Sequence, residues 1–498
     1  MSFKEYKTLD LIKVSDHISS FWKVDKTFEK SISSRDKKEF IFYEGPPSAN
    51  GMPGIHHVMA RAIKDIFCRY KTLKGFKVNR KAGWDTHGLP IELGVEKELN
   101  ISKEDIGSKI SIKDYNEACK KAVMKYTDVW NNLTERIGYW VDMENPYITY
   151  KSKYIESVWW LLKNLHDKKL IYKGYSVQPY SPKAGTGLSS HELNQPGTYQ
   201  DITDTTVTAQ FECLDESIPN FLKKYSKIYI LAWTTTPWTL PSNTALTVGE
   251  KIEYCLIKTY NLYTHQPINV VLAKELITKV FKTNFKEVSN QDELIFNNDK
   301  EIPYIVAETF LGKDIVGMKY HQIWDDSPLP NDSPENAFRL ISGDFVTTED
   351  GTGIVHTAPT FGADDAIAAK NAKPEVPPML IKNKNGDLVP LVDLQGKFVK
   401  ELGFLGGKFV KNEYYEKGKA PERSVDVEIA IKLKEENKAF RVEKYTHSYP
   451  NCWRTDKPIL YYPLNSWFIK VTEKREELIA LNNKINWKPK STGEGRFG

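Results

Sequence analysis

The chain has 498 residues, 40% hydrophobic and 27% charged, and 70 basic against 65 acidic side chains leave a formal net charge of +5. That balance excludes a disordered chain and a bulk polycation, and the length suggests roughly three domains. Five scattered cysteines without a CxxC pair point to reduced thiols and away from a disulfide framework or a cysteine zinc site. The opening MSFKEYKTLDLIKV has no apolar core, and no long apolar run occurs, so a cytoplasmic chain without a membrane span is expected.

The first predicted strand is Phe40–Tyr43, followed by Gly45-Pro46-Pro47-Ser48-Ala49-Asn50-Gly51-Met52-Pro53-Gly54-Ile55-His56-His57 and a helical pattern over Val58–Lys71. A strand, a Gly/Pro-rich loop and a helix N-terminus can hold a phosphate, because the first helical N–H groups are unpaired and the dipole is positive there. An ordinary strand–loop–helix with solvated histidines reads equally well. A second strand at Lys77–Arg80 leads into Gly83-Trp84-Asp85-Thr86-His87-Gly88-Leu89-Pro90-Ile91-Glu92. Asp85 then falls at the carboxyl edge of a sheet, where it could hold an ammonium group or simply cap its own turn. Helices are predicted over Ile112–Ile137 and Ser152–Lys169, the latter capped by Ser152, with Ile155, Val158, Trp159, Leu162 and Leu165 on one face. Alternating strands and helices imply a parallel sheet.

Near Pro182 the texture changes to short β-branched runs, continuing to about Pro421: Thr205–Phe211, Ile228–Trp233, Cys255–Lys258, Val270–Leu272 and Gly353–Thr357. The expected organisation is an α/β domain over 1–185, a β-rich insertion over 186–421 and a return to the first domain over 422–498. Within the insertion, Trp233-Thr234-Thr235-Thr236-Pro237-Trp238-Thr239-Leu240-Pro241-Ser242-Asn243 could line a cleft with hydroxyls, or the threonines could serve only as strand formers. His356 ends an apolar run, and Asp364 and Asp365 follow in a loop, a set suited to ammonium capture and water activation. After Ser424 a helical pattern returns, then a strand-like run at Ile459–Tyr462. His447 and Cys452 lack two further ligands at suitable spacing, so no metal site is expected. The Trp467-Phe468 pair reads as core or pocket wall.

In this order the segments resemble the class I aminoacyl-tRNA synthetases of the isoleucine, valine and leucine group. GPPSANG…HH is similar to the family's HIGH-type ATP signature, and GWDTHGLPIE to the isoleucine form of its motif. The resemblance implies a Rossmann-type parallel-sheet nucleotide-binding domain interrupted by a β-rich editing domain. It implies ATP with Mg2+ held at Gly45, Pro47, Asn50, Gly54 and His57, with His56 and His57 stabilising charge on the α-phosphate. Pro46, Asp85 and Trp467 would bind isoleucine. Thr234, Thr235, Thr236, Asn243, His356 and Asp365 would edit valine mischarged on tRNA(Ile). The implied partners are tRNA(Ile), isoleucine and ATP, in a monomer. Two departures stand out. Gly54 and His56 occupy each other's expected places, and no KMSKS-type loop or anticodon domain follows, so an N-terminal fragment is expected. A free-standing editing hydrolase, valine specificity and an RNA-binding module are the alternatives.

Overall fold

The structure is a computed structural model that describes residue 5, residues 8–35 and residues 38–497. Much of the leader read above, and Gly498, lie outside the described residues. Two compact units result, one drawn from Met1–Tyr172 and Ile469–Gly498, the other from Lys173–Phe468. The predicted range 186–421 lies inside the second.

In the first unit, strands Glu39–Tyr43, Lys77–Trp84 and Asp142–Ile148 form a parallel sheet in that order. Parallel neighbours need a crossover, and helix Ile55–Leu73 supplies it between the first two. Arg80 locks helix to strand. Its buried guanidinium donates to Thr72 Oγ1 at 2.7 Å and reaches Asp65 Oδ1 at 3.3 Å, both on the crossover helix. The single helix predicted over Ile112–Ile137 is instead two, Ile112–Val123 and Thr127–Arg136. At the break the Tyr126 N–H donates to Ala49 O, 3.0 Å away in the Gly/Pro-rich loop. A backbone donor used across the fold cannot extend a helix, and a periodic pattern does not register the loss. The later helix starts at Ser152 with Lys151 as its cap and no side-chain capping bond, so Ser152 is not the cap. Its apolar face is open, with Trp159 69% exposed.

The second unit is built on an eleven-stranded sheet. Ile228–Thr234 lies at its centre, paired with Tyr199–Glu212, Pro267–Ala273 and Ile354–Thr357. Tyr199–Glu212 also runs antiparallel to Ala439–Cys452, from Tyr199↔Pro450 to Ala209↔Ala439. Val207, Phe211, Ile230, Leu231, Leu256 and Leu272 are fully or almost fully buried in one core. The alternation of strand side chains does not show here, because Ile228–Leu231 is buried on both faces. Helix Val425–Glu435 follows Ser424, whose hydroxyl caps the Val427 N–H, and buries Val425, Ile429 and Leu433.

Candidate functional sites

The Gly/Pro-rich loop joins Glu39–Tyr43 to helix Ile55–Leu73 in the first unit. Gly54 is the N-cap, and its N–H donates to His57 Nδ1 at 2.9 Å. A neutral His57 therefore carries its proton on Nε2. Burial, then the neighbouring His56 and Arg61, push the His57 pKa down. Trp130 braces this arrangement. Its indole N–H donates to Gly51 O at 2.9 Å, its ring meets the His57 ring edge-on at 4.6 Å, and Arg61 stacks 4.8 Å above it. Trp130→Phe keeps an aromatic ring but removes the bond to Gly51. We expect it to cost about 1–2 kcal/mol of stability, read from the urea midpoint, with faster amide exchange in residues 45–54.

Positions 54 and 56 meet in space. A Cβ at position 54 would sit 2.8 Å from His56 Cε1 and 3.0 Å from His56 Nδ1. In its observed rotamer the exposed His56 ring thus lies where a side chain at 54 would begin, so the changes at positions 54 and 56 are spatially linked. Gly45, Asn50 and His56 are exposed, whereas Pro46 and Pro47 are half-buried.

The Asp85 turn is tied to the same loop. Asp85 N–H donates to Pro47 O at 2.9 Å, and Ser48 Oγ donates to Asp85 O at 3.0 Å. The Asp85 carboxylate is exposed just past strand Lys77–Trp84. Gly83 is required here, because a Cβ would fall 2.3 Å from the Tyr147 ring. Trp467 belongs to the second unit and is 64% exposed on strand Leu460–Ile469.

In the second unit a cavity of about 470 Å³ is lined by Thr234, Thr235, Thr236, His356 and Asp365, with Thr239, Phe345, Glu349 and Asp350 among its other walls. Asp365 lies in the first turn of helix Ala363–Asn371. Its Oδ2 accepts from Ala358 N–H at 2.8 Å, and burial lifts its pKa to about 6. Asn243 is not on the wall. It stands behind His356, with its Nδ2 2.8 Å from His356 Nδ1. His356 Nε2 lies 3.0 Å from Thr239 Oγ1, and burial drives the imidazole pKa down to about 4. The His356 imidazole is therefore neutral near pH 7.

Sequence reasoning missed Thr239, Phe345, Glu349 and Asp350 on the wall. Thr239 belongs to the same threonine motif and could have been included. Phe345, Glu349 and Asp350 precede the Gly351–Asp365 segment without any pattern of their own.

His447 faces Asp204 at 3.3 Å, and Cys452 is a buried free thiol. Among the described residues, no group of three or more His, Cys, Asp or Glu is placed to hold a metal. Among the same residues, no helix is long and apolar enough to cross a membrane.

The family described as tRNA synthetases class I (I, L, M and V) matches residues 17–498. The chain belongs to that family. The Rossmann-type sheet of that family is accordingly the parallel sheet of the first unit, and the β-rich second unit interrupts the chain of the first unit after Tyr172. The chain is 57% identical to the isoleucine–tRNA ligase of Cytophaga hutchinsonii over 510 residues, covering all of this chain and 45% of that protein. It is 55% identical to the isoleucine–tRNA ligase of Bacteroides fragilis and 54% identical to that of Porphyromonas gingivalis, again over the whole chain and 44% of each relative. The chain thus spans a little under half the length of these class I relatives.

Proposed function

We propose that this chain carries the ATP signature and the editing site of an isoleucine–tRNA ligase. The observation that carries the proposal is whole-chain identity of 53–57% to proteins of that name, supported by the cavity that gathers the threonine motif, His356 and Asp365. Residues 1–185 and 422–498 would serve activation, and 186–421 would serve editing. ATP, with Mg2+ as part of the substrate complex, would lie against Gly45, Pro47, Asn50, Gly54 and His57. The isoleucine carboxylate would attack the α-phosphorus, releasing pyrophosphate and leaving isoleucyl-adenylate. His57 Nε2–H and His56 would donate to the α-phosphate oxygens as charge moves onto them. Catalysis of this kind is positioning plus electrostatics. Asp85 would hold the amino group, with Pro46 against the aliphatic side chain. Transfer to tRNA(Ile), a monomeric state and a cytoplasmic location complete the proposal.

An aliphatic pocket distinguishes isoleucine from valine poorly. One methylene is worth only ~1–3 kcal/mol, and isoleucine against valine in this enzyme class is the standard example. A second, hydrolytic site is the physical remedy. In the cavity, Asp365 would hold the ammonium group of valine on tRNA, while Thr234, Thr235 and Thr236 surround the ester and its attacking water. The test is hydrolysis of valyl-tRNA(Ile) beside isoleucyl-tRNA(Ile). We expect rapid loss of the valyl ester alone, and Asp365→Ala should abolish that loss or its selectivity. Equal, slow loss of both esters would refute editing. Selective hydrolysis with no ATP–pyrophosphate exchange in the full-length protein would favour the free-standing hydrolase instead.

A further inference from the structure

The hydrogen bonds behind the cavity wall form a chain whose direction is set at both ends. At one end, Asn243 Nδ2 lies 2.8 Å from Ala245 O, a group that can only accept. The amide is thereby oriented with its nitrogen toward His356 Nδ1, and its Oδ1 accepts from the Tyr320 hydroxyl at 2.7 Å. An amide nitrogen offers only protons, so His356 Nδ1 must be the acceptor and the imidazole proton must sit on Nε2. Nε2–H then donates to Thr239 Oγ1 at 3.0 Å, and the Thr239 hydroxyl donates to Thr236 O at 2.8 Å, another group that only accepts. An imidazolium would set a second N–H against the Asn243 amide donors.

We propose that Asn243, oriented by Ala245 O and braced by Tyr320, holds His356 as a neutral imidazole protonated on Nε2, so that His356 positions Thr239 and the threonine loop and does not activate water. The buried low-pKa environment of His356 agrees with this geometry. Tyr320 is 1% exposed, packs edge-on against Phe211 at 5.3 Å and does not line the cavity. It is a positioning residue 77 positions from its partner in sequence. Thr234, Thr235 and Thr236 are left to face the ester, and water activation must come from groups other than His356. The consequence for hydrolysis rests on the editing reading above, but the tautomer does not.

The decisive measurement is the nitrogen NMR spectrum of His356 in protein labelled with 15N-histidine. The chain as a whole should give a protonated Nε2 and an unprotonated Nδ1 at neutral pH. Tyr320→Phe keeps the ring and deletes one hydroxyl. It should leave Asn243 Oδ1 without its donor, so that the amide is less firmly held and the spectrum shows a tautomer mixture, and it should lower kcat for valyl-tRNA(Ile) hydrolysis about tenfold, the effect of one buried hydrogen bond, with KM little changed. A protonated Nδ1 in the unaltered chain would overturn the proposal. So would a Tyr320→Phe variant that changes neither spectrum nor kcat. If the unaltered chain shows the Nε2–H tautomer but hydrolyses no ester, the editing reading fails and the hydrogen-bond relay stands.

Discussion

Asp365→Asn should slow hydrolysis of valyl-tRNA(Ile) about a hundredfold and at the same time make the folded chain more heat-stable at neutral pH. The first effect follows from losing a charge-assisted bond to the ammonium group, worth about 1.5–3 kcal/mol. The second follows from the Asp365 pKa, pushed up from 3.8 to about 6 mainly by burial, with a smaller contribution from Asp364. A carboxyl whose pKa rises on folding contributes stability that is complete below 3.8 and is lost as the pH rises through about 6. Ionised Asp365 therefore costs about 2–3 kcal/mol at pH 7, the lower figure allowing for its partial exposure. The Asn amide oxygen can keep the bond to Ala358 N–H without that cost. Thermal melts of both proteins should coincide near pH 3.5, diverge between pH 4 and 6, and stay a constant distance apart above pH 7. A variant that melts lower than the parent at pH 7 would contradict this. The unpaired carboxylate is held in an environment that a bound ammonium relieves, which suits a group that captures an amine.

Lys411→Met should destabilise the second unit by about 3–5 kcal/mol, because it leaves the buried Asp426 carboxylate and the half-buried Asp204 carboxylate without their lysine. Lys411 Nζ lies 2.9 Å from Asp204 Oδ2 and 3.7 Å from Asp426 Oδ2, and 5.0 Å over the Tyr449 ring. Burial opposes its charge, but Asp426, Tyr449 and Asp204 outweigh burial and raise its pKa. The network reaches the cavity through the backbone. Asp426 Oδ1 accepts from Trp238 N–H at 3.0 Å, at the turn that follows Thr236. The urea midpoint should fall, with deacylation falling beside it. The triple variant Lys411→Met, Asp204→Asn, Asp426→Asn should recover most of the stability, since no uncompensated charge remains. Equal stability of the single variant and the parent would show that the ion group is not maintained in solution.

The parts of the fold legible in sequence were those with local causes. The strand at Phe40–Tyr43, the crossover helix and the strand from Lys77 follow from periodicity and from Gly and Pro between them. Helix Val425–Glu435 follows from the helical pattern that returns after Ser424. The break at Met124–Tyr126 was not legible, because its cause is a bond to Ala49 rather than any residue in the helix. Gly54 and His56 could be seen to have changed places. The 2.8 Å approach of a Cβ at 54 to the His56 ring, which only the structure shows, links the two positions in space.

The cavity divides in the same way. Thr234, Thr235, Thr236, His356 and Asp365 sit in short motifs whose residue types suggest amine and ester chemistry, and they share one cavity. Asn243 belongs to such a motif yet stands behind the wall, and Tyr320 belongs to none. Order along the chain carried what neighbours a few residues apart can dictate: strand, turn, helix start and the kind of chemistry a motif can perform. Which nitrogen of His356 bears the proton, and which carboxylate pays for burial, depends on partners more than a hundred residues away for His356 and on surrounding packing for Asp365. Hydrogen-bond direction and desolvation arise only once those groups are brought together and water is excluded.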